Sequence, residues 1–317
     1  MRMVVMKRTA LLVAPLLALA ACGSDGSDDA AGGGDRLEVV TSFYPLQYAV
    51  QQVGGDRVEA TNLTRPGAEP HDLELSPKDV LSVAQADSVV YLADFQPAVD
   101  DAITEADGTA FDVTKAARLD LAATDDGHDH GGESAEEHAG HDHGSQDPHF
   151  WLDPERYADV ADAIAGELGR VDPDHAAEYE QNAKDMRTRL DSLDASFREG
   201  LKDCQTTDLV TSHAAFGYLA DAYGLTQESI TGLTPETEPS AQAMKDVVEH
   251  IREHDVPTVY AETLVPKDVA ETIAKEADAQ VMVLDPIEGV TDESSAQDYF
   301  GIMEANLTTL EKGQSCS

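Results

Sequence analysis

A chain of 317 residues exceeds one average domain, and its 41% hydrophobic content can fill real cores although only 5% is aromatic. Against 21 Lys and Arg stand 62 Asp and Glu, a formal net charge of −41. Such a surface excludes nucleic-acid and anionic-lipid partners, favours solubility and attracts cations. Most of this charge reads as a solvated coat rather than a site.

The first element is not part of the fold. "MRMVVMKR" carries Arg2, Lys7 and Arg8, and "TALLVAPLLALAA" follows as an apolar run too short to span a membrane as a mature helix. Residues 1–21 therefore read as a signal peptide. Its end, Leu19-Ala20-Ala21-Cys22, resembles a bacterial lipobox, in which the cysteine is acylated and becomes the first mature residue. Several acyl chains on Cys22 would hold the protein at the outer face of the cell membrane without a spanning helix. Residues 22–36, "CGSDGSDDAAGGGDR", have the composition of a flexible tether.

From residue 37 short apolar strands alternate with amphipathic helices. "LEVVTSFYPL" reads as a strand, "LQYAVQQVGG" as a helix, "VEATNLT" as a strand. "SPKDVLSVAQA" reads as a helix capped by Ser76 with Asp79 completing the box, and "SVVYLA" as a strand. This is the rhythm of a parallel sheet covered by helices. A histidine-rich acidic stretch, 125–147, interrupts it and closes a first lobe at 37–172. "DPERYADVADAIAGELGRVD" is one helix, and 173–203 is a second, long enough to serve as a rigid spacer. A second lobe, 204–317, repeats the architecture without any sequence repeat: strands "DLVTSH", "TVYAET" and "VMVLDPI", helices "AAFGYLADAYG", "SAQAMKDVVEHIREHD" and "PKDVAETIAKEAD", and a last helix near 294–312. The expected class is α/β, with two Rossmann-like lobes joined by one long backbone helix. Cys204 and Cys316 remain after lipidation. In an exported chain they are a disulfide candidate, with two free thiols as the alternative.

Open α/β sheets bind ligands beyond the carboxyl ends of their strands. Potential metal donors at such places are His71 in "GAEPHDLELSP", His149 in "DPHFWLDP", His213 at the end of "LVTSH", Asp285 in "VMVLDPI" and Glu262 in "TVYAE". Three imidazoles and one or two carboxylates, each on a separate strand-to-helix junction, could converge at the cleft between the lobes. His175, His250 and His254 sit on amphipathic helices among charged residues and read as solvent-facing. Phe43, Tyr44 and Phe216 flank the proposed donors and read as packing that excludes water.

The stretches "GAEPHDLELSP", "DPHFWLDP", "TSHAAFGYLA" and "VLDPI", in that order, resemble the ZnuA-like solute-binding lipoproteins of metal ABC transporters, and the resemblance runs from Leu37 to the C-terminus. It implies a single divalent ion in the inter-lobe cleft, held by His71, His149, His213 and Asp285 with Glu262 or water in reserve. Some zinc members carry a glutamate immediately before the first histidine, where this chain has Pro70. Manganese members carry a glutamate in place of the third histidine, so His213 favours zinc over a manganese-binding role. The implied partners are a zinc ion and an ABC permease, with the protein acting as a monomer rather than an enzyme. A zinc hydrolase would need an open coordination position and a general base, for which Glu262 is the candidate. An adhesin or a metal chaperone could use the same site.

Residues 125–154 hold six of the eleven histidines. His128, His130, His138, His141 and His143 lie among Gly, Ala, Ser, Asp and Glu, where nothing builds a core. They are expected to collect or sense zinc weakly at the cleft mouth, and His149, next to Phe150 and Trp151, is expected to serve the tight site.

Overall fold

A computed structural model of the chain describes residues 36–106, 109–122, 146–235 and 237–317. The signal peptide, Cys22, nearly all of the tether and the five clustered histidines lie outside the described residues. The first sheet uses β1 (Leu37–Thr41), β2 (Val58–Asn62), β3 (Ser88–Tyr91) and β4 (Ala110–Asp112), with α1 (Tyr44–Gly54), α2 (Pro77–Gln85), α3 (Pro97–Glu105) and α4 (Thr114–Ala117) between and after them. Its order is β2-β1-β3-β4, and every pairing is parallel. After α5 (Pro154–Val171) and α6 (Ala176–Leu201) comes the second sheet: β5 (Asp208–Thr211), β6 (Thr226–Ser229), β7 (Thr258–Ala261) and β8 (Gln280–Val283). Helices α7 (Gly217–Tyr223), α8 (Ala241–Glu253) and α9 (Asp268–Ala277) connect its strands, and α10 (Tyr299–Gly313) closes the chain. Its order, β6-β5-β7-β8, repeats that of the first sheet and is again parallel throughout. Both sheets belong to one compact unit.

The central strands are valine-rich, with Val39, Val40, Val89, Val90, Val210 and Val259 all buried, as strands covered on both faces must be. The expected capping box at α2 is present: Ser76 accepts from the Asp79 backbone and Asp79 from that of Ser76. Helix α1 begins earlier than the apolar run suggests, because Phe43 is still extended and Pro45 opens the first turn. Strands β4 and β6 and helices α3 and α4 have no counterpart in the sequence reading. Among the described residues, no helix is long and apolar enough to cross a membrane.

The predicted spacer is split. Pro173–His175 forms a 3-10 turn, and α6 then runs 26 residues, about 39 Å. Its buried residues Tyr179, Ala183, Met186, Leu190, Leu193, Phe197 and Leu201 fall at steps of three and four, one stripe along the helix. Asn182 donates to the Val53 carbonyl (2.9 Å) and Phe197 stacks on Tyr223 (5.0 Å), so α6 reaches both halves. Helix α10 does the same beside it. Tyr299 packs against Tyr48 and Tyr157, while Gln314, just past the other end, donates to the Asp208 carbonyl. The guanidinium of Arg189 on α6 lies over the Phe300 ring at 3.8 Å. At Gly200 an added Cβ would meet Leu307 at 3.0 Å, so that glycine permits the close approach of α6 and α10. The structure bonds Cys204 to Cys316, 112 residues apart, at the shared end of the two helices. A loop of that size contributes on the order of 3–5 kcal/mol.

Candidate metal centre

His71 lies in the loop between β2 and α2. His149 immediately precedes the buried 3-10 turn Phe150–Leu152 and α5. His213 follows β5 by two residues, and Glu288 lies between β8 and α10. All four are buried, His149 and His213 completely. Glu288 Oε1 is 3.1 Å from Nε2 of His71, 3.1 Å from Nε2 of His149 and 3.4 Å from Nε2 of His213. Donors on a tetrahedral zinc, at bonds of about 2.0–2.1 Å, stand roughly 3.3 Å apart. The carboxylate oxygen is thus at tetrahedral-edge distance from three imidazole nitrogens. His213 Nε2 faces Glu288 without hydrogen-bond alignment and has no other partner. Two donors aimed at a common ion, rather than at each other, have this geometry.

Two further carboxylates set the tautomers. Asp147 Oδ1 accepts from His149 Nδ1 at 2.7 Å and from its backbone N–H at 2.8 Å. Glu262 does the same for His213, with Oε2 at 2.5 Å from Nδ1 and Oε1 at 2.9 Å from the backbone nitrogen. A carboxylate on Nδ1 keeps that proton in place, so Nε2 is the nitrogen left for an ion and its basicity is raised, the arrangement that orients metal-bound histidines. Glu262, expected as a reserve ligand, therefore holds the far side of His213 and is not among the converging donors.

Asp285, expected as the fourth donor, is also not among them: the carboxylate that meets the three imidazoles in this structure is that of Glu288, and Asp285 Oδ2 is buried without a hydrogen-bond partner. The Asp285 carboxylate instead accepts the Ile287 N–H at 2.8 Å, and its backbone is clamped on both sides by the Asn306 amide. Ile287 has φ 59°, a left-handed conformation costly for a β-branched residue. That turn brings Glu288 to the imidazoles. Glu69, two residues before His71, accepts the His71 backbone N–H at 2.9 Å and comes within 3.9 Å of its Nε2. A glutamate does flank the first histidine, one position earlier than Pro70. Sequence reasoning passed over Glu288, Glu69 and Asp147. The only usable signal was that each lies within three residues of a residue already singled out.

Phe43, Phe95, Phe150 and Trp151 wall the site. Trp151 is fully buried, its ring 5.2 Å from that of His149, 5.0 Å from Phe43 and 6.3 Å from Phe95. Its indole N–H donates to the Pro286 carbonyl at 2.8 Å, linking the segment before α5 to the turn that carries Glu288. Tyr44 is only half-buried.

Burial opposes charge on Glu288 and the three imidazoles; the charge partners win at Glu288, His149 and His213, and burial wins at His71 and Glu69. Burial pushes Glu288 up, but the imidazoles of His213, His149 and His71 overcome it and hold the carboxyl well below its usual range. Burial pushes His213 down, yet Glu262 and Glu288 carry it well above the ordinary histidine value. His71 is lowered, chiefly by burial. Glu69 is pushed up to about 8 by burial and then by the charge of Glu288. His213, carried well above the ordinary value, holds a proton that an incoming cation must displace. Cation binding at pH 7 is therefore expected to release protons, with affinity falling as pH falls. Calorimetry in buffers of differing ionisation enthalpy measures this, and an affinity flat between pH 5 and pH 8 would contradict it.

Two parallel-sheet halves around a buried imidazole–carboxylate cage define a two-lobed solute-binding protein. The chain belongs to the family described as "Zinc-uptake complex component A periplasmic", which matches residues 39–313. It is 34% identical over 308 residues to the high-affinity zinc uptake system protein ZnuA of Bacillus subtilis, covering 95% of each chain. It is also 34% identical over 285 residues to the zinc-binding protein AdcA of Streptococcus pyogenes. That match takes in 87% of this chain but only 55% of AdcA, so the chain spans about half the length of AdcA. Among solved structures, the laminin-binding protein Lmb of Streptococcus agalactiae, described as bifunctional with adhesin and metal-transporting activity, superposes with a TM-score of 0.76. That pair is 30% identical, covering 88% of this chain and 99% of Lmb. The Zn(II)-bound ZnuA-like domain of Streptococcus pneumoniae AdcA gives a TM-score of 0.71 at 32% identity, covering 88% and 99%.

Proposed function

We infer that the chain is the extracytoplasmic zinc-binding component of an ABC importer, which captures Zn²⁺ and hands it to a membrane permease. The observation that carries this is the position of Glu288 Oε1 at 3.1–3.4 Å from three imidazole nitrogens, all buried. Three nitrogens and one oxygen suit zinc better than the harder, oxygen-rich set that manganese prefers. The names of the relatives, zinc uptake and zinc-binding proteins, point the same way. A four-donor shell is closed, as carriage requires, whereas catalytic zinc keeps an open position. Glu262, which a hydrolase would need as base, has both oxygens occupied by His213. The protein is held at the outer face of the membrane through acylated Cys22, a reading supported by the lipobox-like sequence and by a relative named as a zinc-binding lipoprotein.

The acidic histidine-rich stretch serves as an auxiliary collector through His128, His130, His138, His141 and His143. Its flanking residues support this. Ala122 and Gln146 form an antiparallel bridge, and Gln146 lines a cavity that also includes His71, Phe95, Pro148 and Leu233. Zinc gathered there is delivered beside the first of the four donors.

Metal content and competition with a calibrated chelator test the assignment. Wild type and a variant lacking residues 125–145 are expected to retain one tight zinc each. His213→Ala is expected to lose it, because a donor is removed and Glu262 is left buried without its partner. Undiminished tight zinc in His213→Ala would refute the assigned shell, and loss of tight zinc on deleting 125–145 would refute the division of labour.

A further inference from the structure

His250 and His254, expected to face solvent, are drawn together with Asp208, with His254 exposed and His250 partly buried. They stand four residues apart at the end of α8, their rings stacked with centroids 4.3 Å apart. Asp208 Oδ1 lies 3.2 Å from His250 Nε2 and 3.7 Å from His254 Nδ1. The topology produces this meeting. A helix linking parallel strands runs antiparallel to them, so its last turn returns to the amino end of the sheet. Val247, Val248 and Ile251 bury one face of α8, and His250 and His254 fall at its edge beside the first residue of β5.

We propose that Asp208, His250 and His254 form a second site for a borderline divalent cation of the zinc class. Histidines at i and i+4 on a helix present two nitrogens to one ion, the spacing that zinc-binding helices use. A carboxylate completes three protein donors, leaving a position for water. The separations of 3.2 and 3.7 Å bracket the roughly 3.3 Å edge of a zinc tetrahedron. His250 Nε2 is buried, lacks hydrogen-bond alignment toward Asp208 and has no other partner, as His213 Nε2 is placed in the cleft. Asp208 is pre-set on both sides: Thr206 Oγ1 donates to its Oδ2, and its carbonyl accepts from Gln314. The neighbouring cation of the helix, Arg252, is turned away to the Glu276 carbonyl. The unsatisfied carbonyls at the end of α8 add a field that favours a cation.

This site does not share donors with the cleft. Asp208 is the first residue of β5, while His213 lies two residues past its last, so the four-residue strand, roughly 10 Å from first Cα to last, stands between them. His254 is half exposed while the cleft imidazoles are buried, so exchange with solvent is faster and affinity lower than in the cleft. The site is a surface position that fills only when zinc is abundant.

The test uses the full chain carrying one equivalent of zinc in the cleft, titrated with further zinc. Long-range nitrogen–proton spectra of the imidazoles and calorimetry are recorded together. The expected result is a shift of the His250 and His254 ring signals during a second, weaker phase. His250→Ala should abolish the response of His254 and reduce that phase while leaving the cleft zinc in place. Asp208→Asn should weaken it. Rings that stay unmoved up to millimolar zinc overturn the proposal. So does a second phase that persists unaltered in His250→Ala, because it then belongs to histidines elsewhere in the chain.

Discussion

Replacing Glu288 by glutamine is expected to lower zinc affinity by more than about a hundredfold, while Asp285→Asn lowers it by less than about tenfold. Glutamine keeps the shape but removes the only charge shared by the three imidazoles, and it presents a neutral oxygen or an amide to the ion. The loss should exceed the roughly 10–100-fold typical of a residue that merely orients a donor. Asparagine at 285 retains an oxygen for the Ile287 N–H, so the left-handed turn and the placement of Glu288 survive. Chelator competition on the two purified variants decides the matter. The reverse ranking would restore Asp285 as the ligand.

That pair of variants also marks where the sequence stops being legible. His71, His149 and His213 were readable because each lies at a strand end or a helix entrance, where α/β proteins place ligands. The fourth donor was not, because it depends on a backbone event. Ile287 turns left-handed only because the Asp285 carboxylate and the Asn306 amide hold the loop, and Asn306 is 21 residues away. Asp147 escaped notice for a different reason: it sits at the end of a low-complexity acidic run, where one carboxylate looks like the next. The fold shows the same pattern. Strands with buried valines were legible, whereas β4 (AFD) and β6 (TQES) are short edge strands, exposed or half-buried, and carry no apolar alternation. Helix α6 was readable from its stripe of apolar residues, and its start was misplaced because Pro173 opens a 3-10 turn instead.

Trp151→Ala is expected to cost about 3–5 kcal/mol, the range for removing a large buried aromatic, which lowers the melting temperature by roughly 5–15 °C. The indole fills the space between Phe43, Phe95 and His149 and donates to the Pro286 carbonyl. Its loss therefore opens a cavity and strips a buried acceptor of its partner. The same change should loosen zinc binding, because the Pro286 carbonyl belongs to the turn that carries Glu288. Trp151→Phe refills most of the volume without the donor and should fall between the two in stability. Thermal unfolding of the metal-free proteins separates packing from ligand effects. A melting temperature within 2 °C of wild type for Trp151→Ala would show that the indole is not a keystone of this core.

The cage draws two donors, His71 and His149, from the half built on the first sheet, and two, His213 and Glu288, from the half built on the second. On the proposed function, an ion held by these four residues would be a rivet through both plates. Neither plate alone offers more than a bidentate hold, which water at its ordinary concentration readily replaces. On the zinc-carrier reading, parting the plates would leave an ion with two donors at most, so a docking partner that separates them would release it without acid.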